Sequence, residues 1–251
     1  MLSVIIPAYN EAKTIRQVVE QVQDVPIHKE LIIVNDGSTD GTFEILEAMR
    51  QMPGVKVIQC QNNRGKGHAI RLGLAQVDGD FVVIQDADLE VQPCDLLPVI
   101  EPLRKGVAQV VYGSRFAQGR NHASLRNYVA NRLLAGFVNL IYGSRITDES
   151  TCYKAFDARV ISGLNLTCEG FEFCPEVTAK VLRAGYRIHE VPISYFPRTK
   201  KQGKKLRFFR DGLIAVWTLF KYRFVPRWSV YKSSENAVKS ALLGASAPKK
   251  H

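Results

Sequence analysis

The stretch Phe81-Val82-Val83-Ile84, followed at once by Gln85-Asp86-Ala87-Asp88, indicates both the fold and the chemistry of this chain. A run of four apolar residues is typical of a strand that is buried on both faces of a parallel sheet. Two carboxylates one residue apart beyond such a strand can hold a divalent cation that keeps room for substrate phosphates. We therefore predict a metal-bound diphosphate at Asp86 and Asp88, although an isolated Asp-x-Asp is also common as a solvated acidic turn.

Other apolar runs repeat this strand pattern and alternate with helical patterns. Strands are predicted at residues 2–7, 31–34, 55–58 and 109–112, and helices carry Ile15, Val18, Val19 and Val22, then Phe43, Leu46 and Met49, then residues 67–75. This alternation predicts an α/β fold with a mostly parallel sheet and helices on both faces. Beyond Gly113 we predict helices at 125–142 and 175–184 and strands at 151–156 and 187–195.

Polar clusters follow each of the first four strands. They are Tyr9-Asn10-Glu11, Asp36-Gly37-Ser38, Asn62-Asn63-Arg64 and Asp86-Ala87-Asp88. Open α/β sheets bind ligands beyond the carboxyl ends of their strands, so these clusters predict one shared site. The chain has neither Gly-x-Gly-x-x-Gly after its first strand nor Gly-x-x-x-x-Gly-Lys-[Ser/Thr], which argues against NAD binding and a P-loop NTPase.

Composition fits one large α/β domain, alone or with an appendage. The chain has 251 residues, and its five cysteines form no Cys-x-x-Cys pair, which argues against zinc and disulfides and for a reducing compartment. The net charge is +10, and residues 198–251 hold 14 of the 34 Lys and Arg but two of the 24 Asp and Glu. Such a localised basic segment is typical of contact with nucleic acid or an anionic membrane.

The basic segment includes a predicted amphipathic helix at residues 206–226. Its apolar and aromatic residues include Leu213, Trp217 and Phe220, and it lies among basic residues. This composition is typical of a helix in the lipid headgroup region, while docking on the domain or an oligomer contact remains an alternative. No apolar run approaches the 20 or so residues of a membrane span and no signal peptide is evident, so we expect peripheral membrane contact. Residues 227–251 are predicted to be a mobile tail.

Four motifs in the first half of the chain resemble those of the family 2 glycosyltransferases of the GT-A fold. They are Pro7-Ala8-Tyr9-Asn10-Glu11, residues 34–41, Asn63-Arg64-Gly65-Lys66-Gly67 and Gln85-Asp86-Ala87-Asp88. Later segments resemble the dolichol-phosphate mannosyltransferase branch: Gly113-Ser114-Arg115, Asp148 with residues 151–154, residues 169–172, and Val191-Pro192-Ile193 followed by Arg198, Gly203, Lys205 and Leu206. The resemblance covers about residues 1–200 and implies a GT-A, Rossmann-like nucleotide-diphospho-sugar transferase domain at 1–205.

The resemblance implies a metal-dependent, inverting enzyme that moves a sugar from a nucleotide diphosphate to a polyprenyl or dolichyl phosphate. It implies GDP-mannose as the first donor candidate, with UDP-glucose or another UDP-sugar as the alternative, and Mg²⁺ or Mn²⁺ as the cofactor. The protein is then expected to be cytoplasmic and peripheral on the cytoplasmic face of a membrane. A membrane-spanning partner subunit is a further possibility, and nucleic acid is not an expected partner.

The resemblance also implies roles for individual residues. Nucleotide binding falls to Pro7, Ala8, Tyr9, Glu11, Asp36, Arg64, Lys66, Asp86 and Ala87. Metal binding falls to Asp86, Asp88 and Glu90, acceptor phosphate binding to Arg115, Arg126, Arg198 and Lys205, and catalysis to Asp86, Asp88 and Arg115. A phosphate monoester has a second pKa of about 6, so it is ionised near neutral pH and needs cations rather than a strong base.

Several alternative interpretations stay open at this point. Tyr9 also fits a packing role at a helix start, Asp36 a simple turn, and Arg126 a solvated helix face. A hydroxyl acceptor would need a carboxylate base, for which Glu169 and Glu172 are the candidates. A non-catalytic binding module is the alternative outside enzymes, and the intact Asp86 and Asp88 pair disfavours it.

Overall fold

The computed structural model describes residues 1–198 and 208–232. Its strands are β1 (Leu2–Ala8), β2 (Lys29–Asn35), β3 (Val55–Gln59), β4 (Phe81–Ile84), β5 (Val110–Ser114), β6 (Lys154–Asp157) and β7 (His189–Pro192). Its α-helices are α1 (Ile15–Asp24), α2 (Thr42–Met49), α3 (Lys66–Leu74), α4 (Leu96–Arg104), α5 (Leu125–Tyr142), α6 (Ala158–Gly163), α7 (Phe173–Arg183) and α8 (Phe208–Phe224). Lys205 and the segments 199–207 and 233–251 lie outside the described residues.

The strands form one mostly parallel sheet, as the sequence predicts. Their order is β3-β2-β1-β4-β6-β5-β7. Strands β1 to β4 run parallel to one another, and β5 pairs in parallel with β7. Strand β6 is antiparallel to both of its neighbours, β4 and β5. The carboxyl ends of β1, β2, β3 and β4 therefore meet at one edge of the sheet, where the predicted polar clusters follow.

Helices cover both faces of the sheet, which confirms the second part of the fold prediction. Side chains alternate along a strand, so Val4 and Ile6 of β1 face one apolar cluster and Ile5 faces the other. The first cluster takes its helical residues from α1, α2 and α4, and the second from α3, α6 and α7. The four apolar residues predicted for α1 are all fully buried.

One local expectation differs from the structure, and one helix was not predicted from the sequence. Phe43, placed on the apolar face of α2, is 46% exposed, while Thr42 is fully buried. The Thr42 hydroxyl donates to Asp40 and accepts from the Glu11 amide, so this helix start turns Thr42 inward and Phe43 outward. Helix α4 follows a 3-10 turn that begins at Pro93 and contains Pro102, and these prolines obscured its buried apolar stripe in the sequence.

The chain beyond the sheet packs back onto the domain. Helix α8 contacts α7 and α5, and its buried residues Leu219 and Tyr222 share an apolar cluster with Val138 of α5 and Ala179 of α7. After α8, the Asn165 amide donates to the Val230 carbonyl, and the Lys232 amide donates to the Gly163 carbonyl. Packed chain therefore continues past residue 226, the predicted end of the helix. No described helix is both long enough and apolar enough to span a bilayer.

Candidate active site

The loop after β4 presents three carboxylates, and a lysine from α3 reaches the first of them. Lys66 Nζ lies 2.5 Å from Asp86 Oδ1. Burial alone would lower the pKa of Lys66, but the neighbouring Asp86 carboxylate outweighs it and raises that pKa above its usual value. Lys66 therefore stays charged at the carboxyl edge of the sheet. The sequence predicted both residues for this edge, and the structure brings them into contact.

Arg198 joins the other carboxylates of this edge. Its Nη2 lies 3.0 Å from Asp88 Oδ2 and its Nη1 lies 2.9 Å from Glu11 Oε2. The Arg198 amide also donates to Glu90 Oε1 over 2.9 Å, and the Glu90 amide donates to Asp88 Oδ1 over 3.0 Å. Arg198, which was predicted to bind the acceptor phosphate, therefore contacts the predicted metal ligand Asp88 and the predicted nucleotide-binding residue Glu11.

The donor set suits a hard divalent cation. Burial, followed by the charges of Asp86 and Glu90, raises the pKa of Asp88 to about 7. Lys66 and Arg198 place positive charge against two of these carboxylates. Carboxylate oxygens are the ligands that Mg²⁺ and Mn²⁺ prefer, so the chemistry of these three side chains fits the implied metal, and their role as its ligands stays a prediction.

Asp36 binds its neighbouring loop with its carboxylate. It is 2% exposed and accepts hydrogen bonds from the Arg64 amide at 3.1 Å, the Gly65 amide at 2.6 Å and Asn63 Nδ2 at 3.0 Å. His68 Nδ1 lies 3.7 Å from the same carboxylate. Asp36 thus fixes the position of the 63–65 segment, and its predicted contact with the nucleotide stays a prediction.

The other predicted nucleotide residues border this loop. Pro7 and Ala8 end β1, and Tyr9 and Glu11 follow in the turn before α1. The Thr14 hydroxyl donates to the Ala87 carbonyl over 2.7 Å and lies 3.1 Å from Glu11 Oε2. Thr14 therefore ties the β1–α1 turn to the loop after β4. Sequence reasoning missed Thr14, because a threonine at a helix start is usually only a cap.

Two glycines allow the 63–67 segment to approach residues 168–170. Gly65 has a φ of +106°, and a Cβ there would lie 2.5 Å from the Glu169 carbonyl oxygen. A Cβ at Gly67 would lie 2.9 Å from Cys168 Sγ. Neither position has room for a side chain, so the sequence Gly65-Lys66-Gly67 fixes where Lys66 begins α3.

We expect Gly65→Ala to destabilise the protein more than Gly119→Ala. Both glycines have a φ of +106°, but within the described residues a Cβ at Gly119 meets no atom within 4 Å. Each variant incurs about 1–3 kcal/mol of backbone strain, and Gly65→Ala adds about 1–3 kcal/mol of overpacking. Urea unfolding of both variants measures the difference. Equal losses would show that the contact with Glu169 does not constrain this turn.

Arg115, at the end of β5, is held by a buried carboxylate. Its Nε and Nη2 lie 2.7 Å from the two oxygens of Asp148, which is fully buried. Burial opposes the charge of Arg115, but Asp148 outweighs that effect and raises the guanidinium pKa. The guanidinium carbon lies 5.1 Å from the centre of the Tyr195 ring. Arg115 also borders a cavity of about 360 Å³ between the β5–α5 loop and residues 192–196.

The remaining predicted cations are less closely placed. Arg126 is exposed in the first turn of α5. Arg64 is half exposed and pairs with Glu169 across 2.5 Å. Lys205 lies outside the described residues. The acceptor roles of these three side chains therefore stay predictions.

The fold and this set of side chains define a glycosyltransferase of the GT-A fold. A family model described as glycosyl transferase family 2 matches residues 3–163, and the chain belongs to that family. The resemblance drawn from the motifs of residues 7–88 is therefore confirmed.

Relatives of known name include several enzymes of lipid-linked sugars. The chain is 30% identical to the glycosyltransferase AglJ of Haloferax volcanii, over 87% of this chain and 70% of that protein. It is 27% identical to the dolichol-phosphate mannosyltransferase of Pyrococcus furiosus, over 88% of this chain and 64% of that protein. It is 30% identical to the UDP-N-acetylglucosamine–dolichyl-phosphate N-acetylglucosaminyltransferase of Methanococcus voltae, over 77% and 84%.

Solved structures support the same fold. Glucosyl-3-phosphoglycerate synthase from Mycobacterium tuberculosis, in complex with Mn²⁺, uridine diphosphate and phosphoglyceric acid, superposes with a TM-score of 0.69. The two chains are 23% identical, and the match covers 90% of this chain and 79% of the synthase. At this identity the likeness shows the fold alone.

Proposed function

We propose that this protein is a metal-dependent, inverting glycosyltransferase that moves a sugar from a nucleotide diphosphate to a polyprenyl phosphate at a membrane surface. The observation that carries the proposal is the position of Arg198. It bridges Asp88, a proposed metal ligand, and Glu11, a proposed nucleotide residue. A cation there lies beside the bound donor, where an acceptor phosphate must approach the anomeric carbon.

The donor phosphates would meet the Lys66 side of the site. Asp86, Asp88 and Glu90 would hold Mg²⁺ or Mn²⁺, which as a Lewis acid stabilises negative charge on the leaving nucleoside diphosphate. Lys66 neutralises further phosphate charge from α3, and Arg64 extends that positive edge. The structural support is that both side chains belong to the short segment fixed by Asp36.

The acceptor phosphate would meet Arg198 and Arg115. An oxygen of the ionised phosphate forms the new bond to the anomeric carbon as the bond from that carbon to the donor diphosphate breaks. The bonding electrons pass to the diphosphate, and the sugar configuration inverts. No proton has to be removed from the nucleophile, so orientation and charge are what the protein must supply. Arg126 and Lys205 are further proposed contacts of this phosphate.

The carboxylates predicted as a base for a hydroxyl acceptor have other partners. Glu172 Oε1 accepts hydrogen bonds from the amides of Glu169 at 2.9 Å and Gly170 at 2.8 Å. Glu169 pairs with Arg64, which lowers the pKa of Glu169. A base must be able to take a proton from the acceptor, and both carboxylates are committed to stabilising contacts. This geometry favours a phosphate acceptor over a hydroxyl acceptor.

GDP-mannose and UDP-sugars are both candidate donors. The relatives include one named for mannose transfer to dolichol phosphate and one named for UDP-N-acetylglucosamine. We propose GDP-mannose first, on the motifs shared with the mannosyltransferase branch. The catalytic domain is proposed to span residues 1–205, with the helix of residues 206–226 as the interfacial element. A membrane-spanning partner subunit remains part of the proposal for lipid presentation.

The exposed face of α8 supports contact with a membrane. Leu213, Trp217 and Phe224 are 72%, 64% and 70% exposed, and the Phe220 ring is stacked with Trp217 and tilted against Phe224. Lys221 and Arg223 are exposed on the same helix. An apolar aromatic face beside basic residues is typical of helices that lie among anionic lipid headgroups.

Trp217→Ser is expected to weaken binding to anionic vesicles by about tenfold or more, because burying a large apolar side chain contributes about 1.5–3 kcal/mol. Sedimentation with phosphatidylglycerol vesicles measures the partition coefficient. The matched control is Val107→Ser, since Val107 is 69% exposed at the amino end of β5, opposite the site. Equal binding by both variants and the unmodified protein would contradict an interfacial role for α8.

A transfer assay tests the whole proposal. A short polyprenyl phosphate is incubated with GDP-mannose, UDP-glucose or UDP-N-acetylglucosamine, in Mn²⁺ or in EDTA. We expect transfer from one donor that EDTA abolishes. Transfer to a sugar hydroxyl in place of the lipid phosphate would overturn the acceptor assignment. Metal-dependent nucleotide binding without any transfer would mean either that the acceptor assignment is wrong or that a missing membrane partner must present the lipid.

A further inference from the structure

Residues 167–170, which we term the bracing loop, hold the first turn of α3. The Gly67 amide donates to the Gly170 carbonyl over 3.0 Å, and the His68 amide donates to the Glu169 carbonyl over 2.9 Å. Amides at the start of a helix have no acceptor within the helix and can bind a phosphate. Here these two amides are bound by the bracing loop instead. The position of Lys66 therefore depends on where the bracing loop lies.

A buried glutamate holds the bracing loop from behind. Glu176 of α7 is 1% exposed and accepts hydrogen bonds from the Thr167 amide at 2.9 Å and the Cys168 amide at 2.7 Å. Lys180, also buried, lies 2.5 Å from Glu176 Oε1 and supplies the opposite charge. A buried ion pair offsets its desolvation cost only when its remaining hydrogen-bonding groups have partners. Here the backbone of the bracing loop supplies those partners.

Tyr222 connects this pair to α8. Its hydroxyl donates to Glu176 Oε1 over 3.0 Å and lies 3.1 Å from Thr167 Oγ1. Lys180 Nζ lies 4.4 Å from the centre of the Tyr222 ring. Polar contacts therefore run without a break from Tyr222 through Glu176 and the bracing loop to the α3 turn, and then through Lys66 to Asp86.

We infer that Tyr222 and Glu176 are positioning residues for the donor site, and that the hydrogen bond between them sets the affinity for the nucleotide diphosphate. The inference rests on the donor role proposed for Lys66. The bracing loop connects the two, because its amides donate to Glu176 and its carbonyls accept from the first amides of α3. The surface that would contact the membrane and the site that would hold the donor thus share one rigid connection.

The first test measures amide exchange and needs no ligand. Tyr222→Phe removes one hydroxyl and leaves the ring over Lys180 and the remaining Glu176 bonds in place. We expect the amides of residues 67–70 to exchange about threefold to tenfold faster, since one hydrogen bond is lost from their support. The matched control is Tyr142→Phe, whose hydroxyl donates to the Leu219 carbonyl on another part of α8. Unchanged exchange in Tyr222→Phe, or equal acceleration in both variants, would overturn the inference.

The second test measures affinity by calorimetry with UDP and with GDP in Mn²⁺. For the nucleotide that binds, we expect Tyr222→Phe to raise Kd about threefold to tenfold and Tyr142→Phe to leave it unchanged. In the transfer assay the same variant should raise KM for the donor with kcat retained, because only binding common to ground and transition states is weakened. An unchanged Kd would overturn the inference. The expected rise in Kd together with an absence of sugar transfer would count only against the proposed acceptor.

Discussion

Replacing Asp86 or Asp88 with asparagine is expected to reduce sugar transfer by about 10³-fold, because a metal ion contributes several kcal/mol and each 1.36 kcal/mol is a factor of ten. Asparagine keeps the shape of the side chain but removes the charge that holds a divalent cation. The two carboxylates contact Lys66 and Arg198 at 2.5 and 3.0 Å, so each variant also leaves a cation without its partner. Transfer rates at saturating Mn²⁺ measure the loss.

Asp95→Asn is the matched control for this prediction. Asp95 follows the same loop, is partly buried, and its carboxylate accepts a hydrogen bond from the Ser194 amide that an asparagine oxygen can also accept. We expect it to transfer sugar within a fewfold of the unmodified protein. Mn²⁺ titration followed by electron paramagnetic resonance should show weakened binding in Asp86→Asn and Asp88→Asn alone. Normal Mn²⁺ binding in both variants would contradict the metal assignment.

The sequence could predict the carboxyl edge of the sheet because its signals are local. A buried strand such as Phe81–Ile84 is a short apolar run, and the residues that follow it in a parallel sheet must emerge at one edge. Asp36, Arg64 and Asp86 were placed at that edge on this reasoning alone, whereas Lys66 was placed there by the family resemblance of its motif. The apolar spacing of α1 is equally local, and all four predicted side chains are buried.

Contacts between distant segments could not be predicted in the same way. Arg198 and Glu11 are 187 residues apart, and their pairing depends on the path of residues 193–198 past Glu90. The bracing loop is a similar case, since Glu176 resembles any charged residue of an amphipathic helix until its burial is known. Strand β6 shows the limit for topology, because its apolar pattern carries no sign of its antiparallel direction.

Arg115→Met is expected to lower the free energy of unfolding by about 3–5 kcal/mol, because it leaves the Asp148 carboxylate buried without its partner. Asp148 is fully buried and receives two guanidinium bonds of 2.7 Å from Arg115. In the double variant Arg115→Met/Asp148→Leu, both charges are replaced by apolar groups, and we expect part of the loss to be recovered, because leucine also removes the acceptor of the Arg115 amide. Urea unfolding of the single and double variants measures both values. A double variant as unstable as the single one would show that the unpaired carboxylate is not the cause.

The recovered double variant then separates the structural role of Arg115 from its proposed role at the acceptor. Loss of a charge-assisted contact to a phosphate is worth about 1.5–3 kcal/mol, so we expect kcat/KM for the polyprenyl phosphate to fall about tenfold to 150-fold. The Kd for the nucleotide should stay unchanged, since the contacts of Lys66 and Asp86 do not involve Arg115. Unchanged kcat/KM in a stable double variant would mean that Arg115 supports the fold through Asp148 and that the acceptor phosphate is bound by other cations, Arg198 first among them.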